Sequence, residues 1–310
     1  MKVRALVGSF MLAAMSIGVV GARGQQPAAP LPAPEPANQL TPSETALYEF
    51  APTLIDWTPQ QIRDFPALHK LRPAGSQDQL PRILDRAGQT GTVAFQDFPQ
   101  ISCDEAVISE IGSPPKTKHQ KFRYIVLPRP VGDVRVFEEY RTDPAGNPPE
   151  KLSLANLFMI TSGFASTWLF FSPDERQDSH FRYFGIQTNR NRECYVVGFA
   201  QDPERAQNVG EFQIGEKSVT VLVQGLAWID SQTFRILRVM TWLLAPRQDI
   251  DLSSQISTVD FYAVQPSGSE RVLWLPRDVN VWVLYHGTAV RNTHQYSNFK
   301  LFRVESTIKP

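Results

Sequence analysis

From Lys116 onward, stretches rich in Val, Ile, Phe, Tyr and Trp recur between turn residues, and several are apolar at consecutive positions rather than alternate ones. Successive side chains of a strand point to opposite faces. Leu222, Leu226 and Trp228 then share one face, with Val221, Val223, Ala227 and Ile229 on the other. Val279, Val281, Val283 and Tyr285 likewise oppose Trp282 and Leu284, and Phe299 and Leu301 oppose Phe302 and Val304. A sheet with one wet face alternates apolar and polar positions. Here something covers both faces: helices on one, and a cavity, a ligand or a second copy of the chain on the other.

The helices are expected before the strands. Thr41-Pro42 with Glu44, and Thr58-Pro59 with Gln61, have a threonine cap, a proline in the first turn and an acid or amide three residues on, which is a helix start. Ile62, Phe65, Leu68 and Leu71 follow at helical spacing. Leu80, Ile83, Leu84 and Ala87 mark one face of a third helix from Gln79 through Thr92, continuing toward Phe95 and Phe98. After Pro114-Pro115 the period turns toward two. Strands are expected near 121–127, 134–142, 164–171, 180–187, 192–200, 218–230, 233–245, 255–265, 271–285 and 290–305. The clearest hairpin runs from Gly225 to Trp242, turning at Asp230, Ser231, Gln232 and Thr233. Helices followed by strands predict an α+β fold with a largely antiparallel sheet: a single domain over 41–310, helical over 41–113 and mainly β over 116–310. A membrane-spanning barrel would need apolar alternation throughout, which the helical first third opposes.

Lys2 and Arg4, the uncharged run Ala5–Gly21 and the small residues Ala22 and Gly24 read as a signal peptide over 1–24. Residues 25–40 form a Pro/Ala-rich linker, with Pro27, Pro30, Pro32, Pro34 and Pro36, suited to an extended, disordered spacer. The expected location is therefore periplasmic or secreted, with no transmembrane segment in the mature chain. Cleavage would remove Lys2, Arg4 and Arg23 and leave 28 basic residues against 31 acidic ones, a formal charge of −3. With no basic run beyond Lys116–Lys121, nucleic acid is not an expected partner. Two cysteines, Cys103 and Cys194, either close a long loop as a disulfide or pack as two buried thiols.

The stretch Gly225-Leu-Ala-Trp228-Ile-Asp230-Ser-Gln-Thr-Phe-Arg-Ile-Leu237-Arg238 resembles the strand–turn–strand of periplasmic lipoprotein-carrier (LolA-like) proteins. Val259-Asp-Phe-Tyr262, Leu275-Pro-Arg-Asp278 and Tyr296-Ser-Asn-Phe299 are similar to secreted acidobacterial proteins of uncharacterised function. The resemblance covers mainly 219–305, with a weaker echo in Leu80–Gln89 and Phe98–Glu105. It implies a strongly curved antiparallel sheet, or half-barrel, lined with apolar side chains and lidded by helices. Such a concavity suits an acyl chain, since each buried CH₂ contributes roughly 0.8 kcal/mol.

Catalytic signatures are sparse. His69, His119, His180, His286 and His294 show no metal-ligand spacing, and His286 and His294 across the turn at Gly287-Thr288 are more economically two unrelated hairpin residues. The chain has no GxSxG, GxxxxGK or GxGxxG. The acid pairs Asp104-Glu105 and Glu138-Glu139 do not converge if they lie in strands, and Asp104-Glu105 reads as a helix-flanking loop. The expectation is a non-catalytic envelope protein without cofactor or metal. Its partner would be a hydrophobic ligand, a lipid or a lipidated chain, with Trp228, Trp242, Trp282, Tyr262 and Tyr285 as ligand contacts. The alternative is an envelope interaction or structural module that buries its second apolar face against a protein partner or a second copy.

Overall fold

The computed structural model describes residues 40–131, 134–146, 167, 170–206, 210–214 and 217–302. The signal peptide expected at 1–24, the linker at 25–40 apart from Leu40, and Phe164 and Trp168 lie outside them.

Helix α1 (Pro42–Ala46) and helix α2 (Pro59–Asp64) both begin at the expected threonines, each with a complete capping box, Thr41 with Glu44 and Thr58 with Gln61. Helix α3 (Leu80–Gln96) buries Ile83, Ala87, Gly88, Gly91 and Phe95, one stripe at helical spacing. The strands are β1 (Arg72–Pro73), β2 (Ile101–Ile111), β3 (Lys116–Val131), β4 (Val134–Thr142), β5 (Ser179–Asn189), β6 (Arg192–Gln201), β7 (Gly210–Ile214), β8 (Lys217–Val221), β9 (Val223–Asp230), β10 (Ile236–Leu243), β11 (Leu252–Val264), β12 (Leu273–Tyr285) and β13 (Thr288–Leu301). Eleven of them form one open, curved antiparallel sheet in the order β1-β5-β6-β9-β10-β11-β12-β13-β2-β3-β4, and β7 and β8 pair separately. Register shifts at Tyr183/Gly185, Ile236/Arg238, Leu252/Ser254, Asp260/Phe261 and Ser297/Lys300 mark bulges, the usual device for bending a strand.

Three expectations are corrected. Residues 101–111, placed in the helical third, are strand β2, where buried positions alternate strictly from Ile101 to Ser109. Glu105 and Ser109 occupy inward positions and so hide the period of two in the sequence. The strand expected over 218–230 divides at Leu222 between two sheets. Phe170 and Phe171, at the end of the strand expected over 164–171, lie in a 3-10 turn.

The two faces of the sheet are covered differently. The inner face packs against α3, and its core draws Val197 and Phe199 from β6, Ala227 and Ile229 from β9, Val239 from β10, Val259 and Phe261 from β11, and Val279, Val281 and Val283 from β12. The outer face of β5, β6, β9 and β10 is covered by the chain's own segment Leu40–Leu71, which lays Leu54, Ile62 and Leu68 over Phe184, Cys194, Val196, Leu226, Trp228 and Leu237. The backbone of this cover needs partners, because a buried carbonyl or amide left alone is costly. Gln224 Oε1 accepts from the Leu54 amide at 2.7 Å, and the Tyr48 hydroxyl accepts from the Leu222 amide at 3.1 Å. Arg182 donates to the carbonyls of Ile55 and Trp57 at 2.8 and 2.6 Å, and Gln187 to those of Ala67 and His69 at 3.2 and 2.7 Å. Over these strands the second apolar face is thus satisfied by the N-terminal segment of the chain itself.

Candidate functional site

The inner face changes character along the sheet. From β5 to β12 it is apolar. Across β13, β2, β3 and β4 it sets a polar and ionic cluster among apolar residues such as Ile101, Val107 and Val126, because register brings unlike residues from distant parts of the chain side by side. Tyr296 pairs with Glu105, His294 with Val107 and Asn292 with Ser109 across β13 and β2. Cys103 pairs with Tyr124 across β2 and β3, and Tyr124 with Arg141 across β3 and β4.

Glu105 is the hub. Its Oε2 accepts from Arg141 Nε at 2.6 Å, and its Oε1 accepts from Arg141 Nη2 at 3.1 Å, from the Tyr296 hydroxyl at 2.9 Å and from His294 Nδ1 at 2.9 Å. The guanidinium of Arg141 lies 4.7 Å from the centre of the Tyr124 ring, which is 5.1 Å from that of Tyr296. Asn292 donates to Ser109 at 2.9 Å one step along the same face. The Glu105 and His294 side chains are fully buried.

Burial alone would push the Glu105 carboxyl up. The adjacent Arg141 charge and the hydrogen bonds from His294 and Arg141 outweigh it and hold the carboxyl at about 2. Burial works against the Arg141 charge, yet Glu105 raises the guanidinium above its ordinary value. The Tyr124 and Tyr296 hydroxyls are driven well above the usual tyrosine range, first by burial and then by neighbouring carboxylates, Glu139 for Tyr124 and Glu105 for Tyr296. Burial likewise raises the Cys103 thiol. At neutral pH the cluster is therefore an ionised acid–arginine pair capped by neutral phenols beside a protonated thiol. That is an arrangement for joining four strands, and its thiol is a poor nucleophile. Among the described residues no group of three or more His, Cys, Asp or Glu side chains could hold a metal ion.

At the opposite margin of the inner face, a pocket of about 340 Å³ opens between β1, the start of α3 and β5, lined by Arg72, Ala74, Ser76, Gln79, Tyr183 and Ile186 among others.

The five aromatics proposed as ligand contacts do not converge. Trp242 faces outward and stacks on Trp57 with ring centres 6.0 Å apart, and Trp228, also outward and buried, donates to Gln187 at 2.7 Å. Trp282 faces away from Val281 and Val283, paired with Ile256 and Arg291. Tyr262 lies at the end of β11 between Arg190 and Arg277, whose guanidinium carbons are 4.0 and 3.4 Å from its ring centre. Tyr285 alone packs on the inner core. Alternation separates the two sides of each strand, but it does not say which side α3 will cover.

Cys103 and Cys194 are free thiols, on the inner and outer cores respectively, with β9, β10, β11, β12 and β13 between their strands. His286 is half exposed beside Asp251 at 2.9 Å, whereas His294 belongs to the buried cluster, so the two do not share a site. Asp104 and Glu105 lie in β2 rather than a loop and point to opposite faces, Asp104 accepting from Asn298 at 2.8 Å. Asp230 accepts from the Thr233 amide and hydroxyl, both at 2.7 Å, and acts as a turn acid. Arg141 and Tyr124 escaped the sequence reading, and Tyr296 entered it only within the stretch Tyr296–Phe299, with no role in a site. Their only signal is a polar residue at an inward position of a β-branched strand.

No known protein family matches the chain, nor does any curated protein. Among solved structures it is similar to a LolA superfamily protein from Nitrosomonas europaea, at 13% identity and a TM-score of 0.35 over 73% of this chain and 94% of that one. It is also similar to a DUF1329 family protein from Desulfovibrio piger, at 13% identity and a TM-score of 0.39 over 73% of this chain and 94% of that one.

Proposed function

We propose that the protein is an exported, non-catalytic binder of a hydrophobic ligand, a lipid or a lipidated chain, held on the inner face of the sheet beside α3. One observation supports this reading above the others: a pocket opens at the margin of the apolar inner face from β5 to β12, whose own side chains are already buried. The pocket by Gln79, Tyr183 and Ile186 lies at the margin of this surface and lies within the size range of small-ligand sites. Among the described residues no helix is long and apolar enough to cross a membrane.

The ligand contacts of this reading are Tyr183, Ile186 and Tyr285 in place of the outward tryptophans. Native mass spectrometry of protein purified from its own envelope, followed by denaturing extraction, tests the proposal. A stoichiometric apolar adduct is the expected result. A clean monomer mass would remove the ligand reading, and a clean dimer or a protein-bound mass would favour an interaction module. The observation on that side is β4, the last strand of the sheet among the described residues, with Tyr140 exposed, an edge of the kind that pairs with another chain.

A further inference from the structure

One end of the sheet carries six arginines laid over aromatic rings. The β5–β6 turn, the β9–β10 turn, the end of β11 and the start of β12 meet there, as the pairings Cys194 with Asp230, Arg238 with Asp260 and Asp260 with Asp278 require. Arg82 and Arg86 of α3 lie 5.8 and 5.2 Å from the ring centre of Phe234. Arg235 lies 5.6 Å from that of Trp274, and Arg238 5.9 Å from that of Trp228. Arg190 and Arg277 sit on Tyr262, as described above.

Acids hold some of this charge. Asp260 takes both prongs of Arg238 at 2.8 and 2.9 Å and lies 3.9 Å from Arg190, Asp278 takes Arg277 at 3.1 Å, and Asp230 takes Arg192 at 2.6 Å. Asp85, between Arg82 and Arg86 in sequence, is drawn off by Arg176 at 2.6 Å. Arg82, Arg86 and Arg235 are exposed, and among the described residues none has a carboxylate within ion-pair distance. In a chain with as many acids as bases, this end is locally cationic.

A guanidinium lying over a ring is held in plane and keeps its N–H donors directed outward, and its fork matches a phosphate bidentately. Of the rings beneath these arginines, Trp274 and Tyr262 are half-buried, and tryptophan and tyrosine are residue types that settle at a bilayer's polar boundary. We propose that this rim docks the protein on an anionic phospholipid bilayer, with Arg82, Arg86 and Arg235 on lipid phosphates. The docking stands whatever occupies the inner face. It would also bring the pocket close to the lipid, since Gln79 in its wall is one helical turn from Arg82.

The test is co-flotation of the full mature chain with vesicles of phosphatidylglycerol and phosphatidylcholine in equal parts, against phosphatidylcholine alone. Binding is expected only to the anionic vesicles and should weaken as salt rises. Arg82→Gln, Arg86→Gln and Arg235→Gln together should weaken it on the order of a hundredfold, at about fivefold per arginine near the surface. Lys116→Gln, Lys118→Gln and Lys121→Gln, which remove the same charge from β3, should leave it intact. Equal loss in both triple variants, equal binding to neutral vesicles, or competition by inorganic phosphate without any vesicle binding would each overturn the proposal. Should the rim triple fail to melt cooperatively, the single Arg235→Gln, with its expected fivefold loss, decides the matter. Loss of vesicle binding with the ligand adduct retained, or the converse, separates this inference from the ligand reading.

Discussion

Glu105 shows how one residue can misdirect a sequence reading and organise a structure. A carboxylate at the third inward position of β2 broke the alternation that would have announced a strand, and the same carboxylate joins β13, β2 and β4 through Tyr296, His294 and Arg141. Removing one partner of a buried pair leaves the other charge uncompensated, so Glu105→Gln should destabilise the protein by about 3–5 kcal/mol in urea unfolding. Replacing both partners with Glu105→Gln and Arg141→Met should recover much of that loss; if the double variant is as unstable as the sum of the singles, the pair is not the unit that matters. The pH dependence follows from the depressed carboxyl. Its contribution is fully present above the ordinary carboxylate value of 4.5 and is lost as pH falls toward about 2, because the unfolded chain takes up the proton first. The acid limb of stability against pH should therefore shrink in the double variant. The thiols offer a second check at this scale. Burial raises Cys103 and takes Cys194 up to about 11, so neither should react with a thiol reagent at neutral pH until the chain unfolds, when both should. A mass two hydrogens short before reduction would contradict the structure.

At the scale of elements, the helix starts were legible because capping chemistry is local: Thr41 with Glu44 and Thr58 with Gln61 need only three residues to declare themselves. The β9–β10 hairpin was legible for the same reason, through Asp230 and Thr233. The outer cover was not. Leu40–Leu71 reaches strands more than a hundred residues away, and what holds it there is Gln224, Arg182 and Gln187, polar residues that read in sequence as ordinary strand positions. Both faces of β9 were correctly expected to be buried, but which tryptophan met a helix and which met the cover depended on this distant pairing. Gly198 marks the closest approach. A Cβ there would collide with the side chains of Leu54 and Phe184, both buried and unable to yield. Gly198→Ala should therefore lift the cover, at a cost of about 1–3 kcal/mol for overpacking. Trp242, which stacks on Trp57 beneath the cover, should then emit at longer wavelength. A stability loss without that shift would place the strain elsewhere than in the cover.

For the molecule as a whole, the sheet is closed over the outer face of its β5–β10 half by its own chain, joined by an ionic lock on its β13–β4 half, and broadly apolar on the inner face between. Hydrophobic area of that extent contributes stability in proportion to what removes it from water, roughly 25 cal/mol per Å². A ligand that binds only the folded state adds to this by mass action, about 2.7 kcal/mol at a hundredfold excess over Kd. Protein stripped of apolar material by denaturing extraction and refolding should therefore melt at a lower temperature than protein taken directly from the envelope, and adding the extract back should restore the difference. Ile186, half-buried at the pocket wall, provides the control. Ile186→Arg places a charge where an acyl chain would enter, so the variant should melt like the stripped protein and fail to respond to the extract. If stripped and native protein melt together, the inner face is filled by the fold alone. The weight then passes to the β4 edge, and the oligomeric state of the variant-free protein becomes the measurement that decides its role.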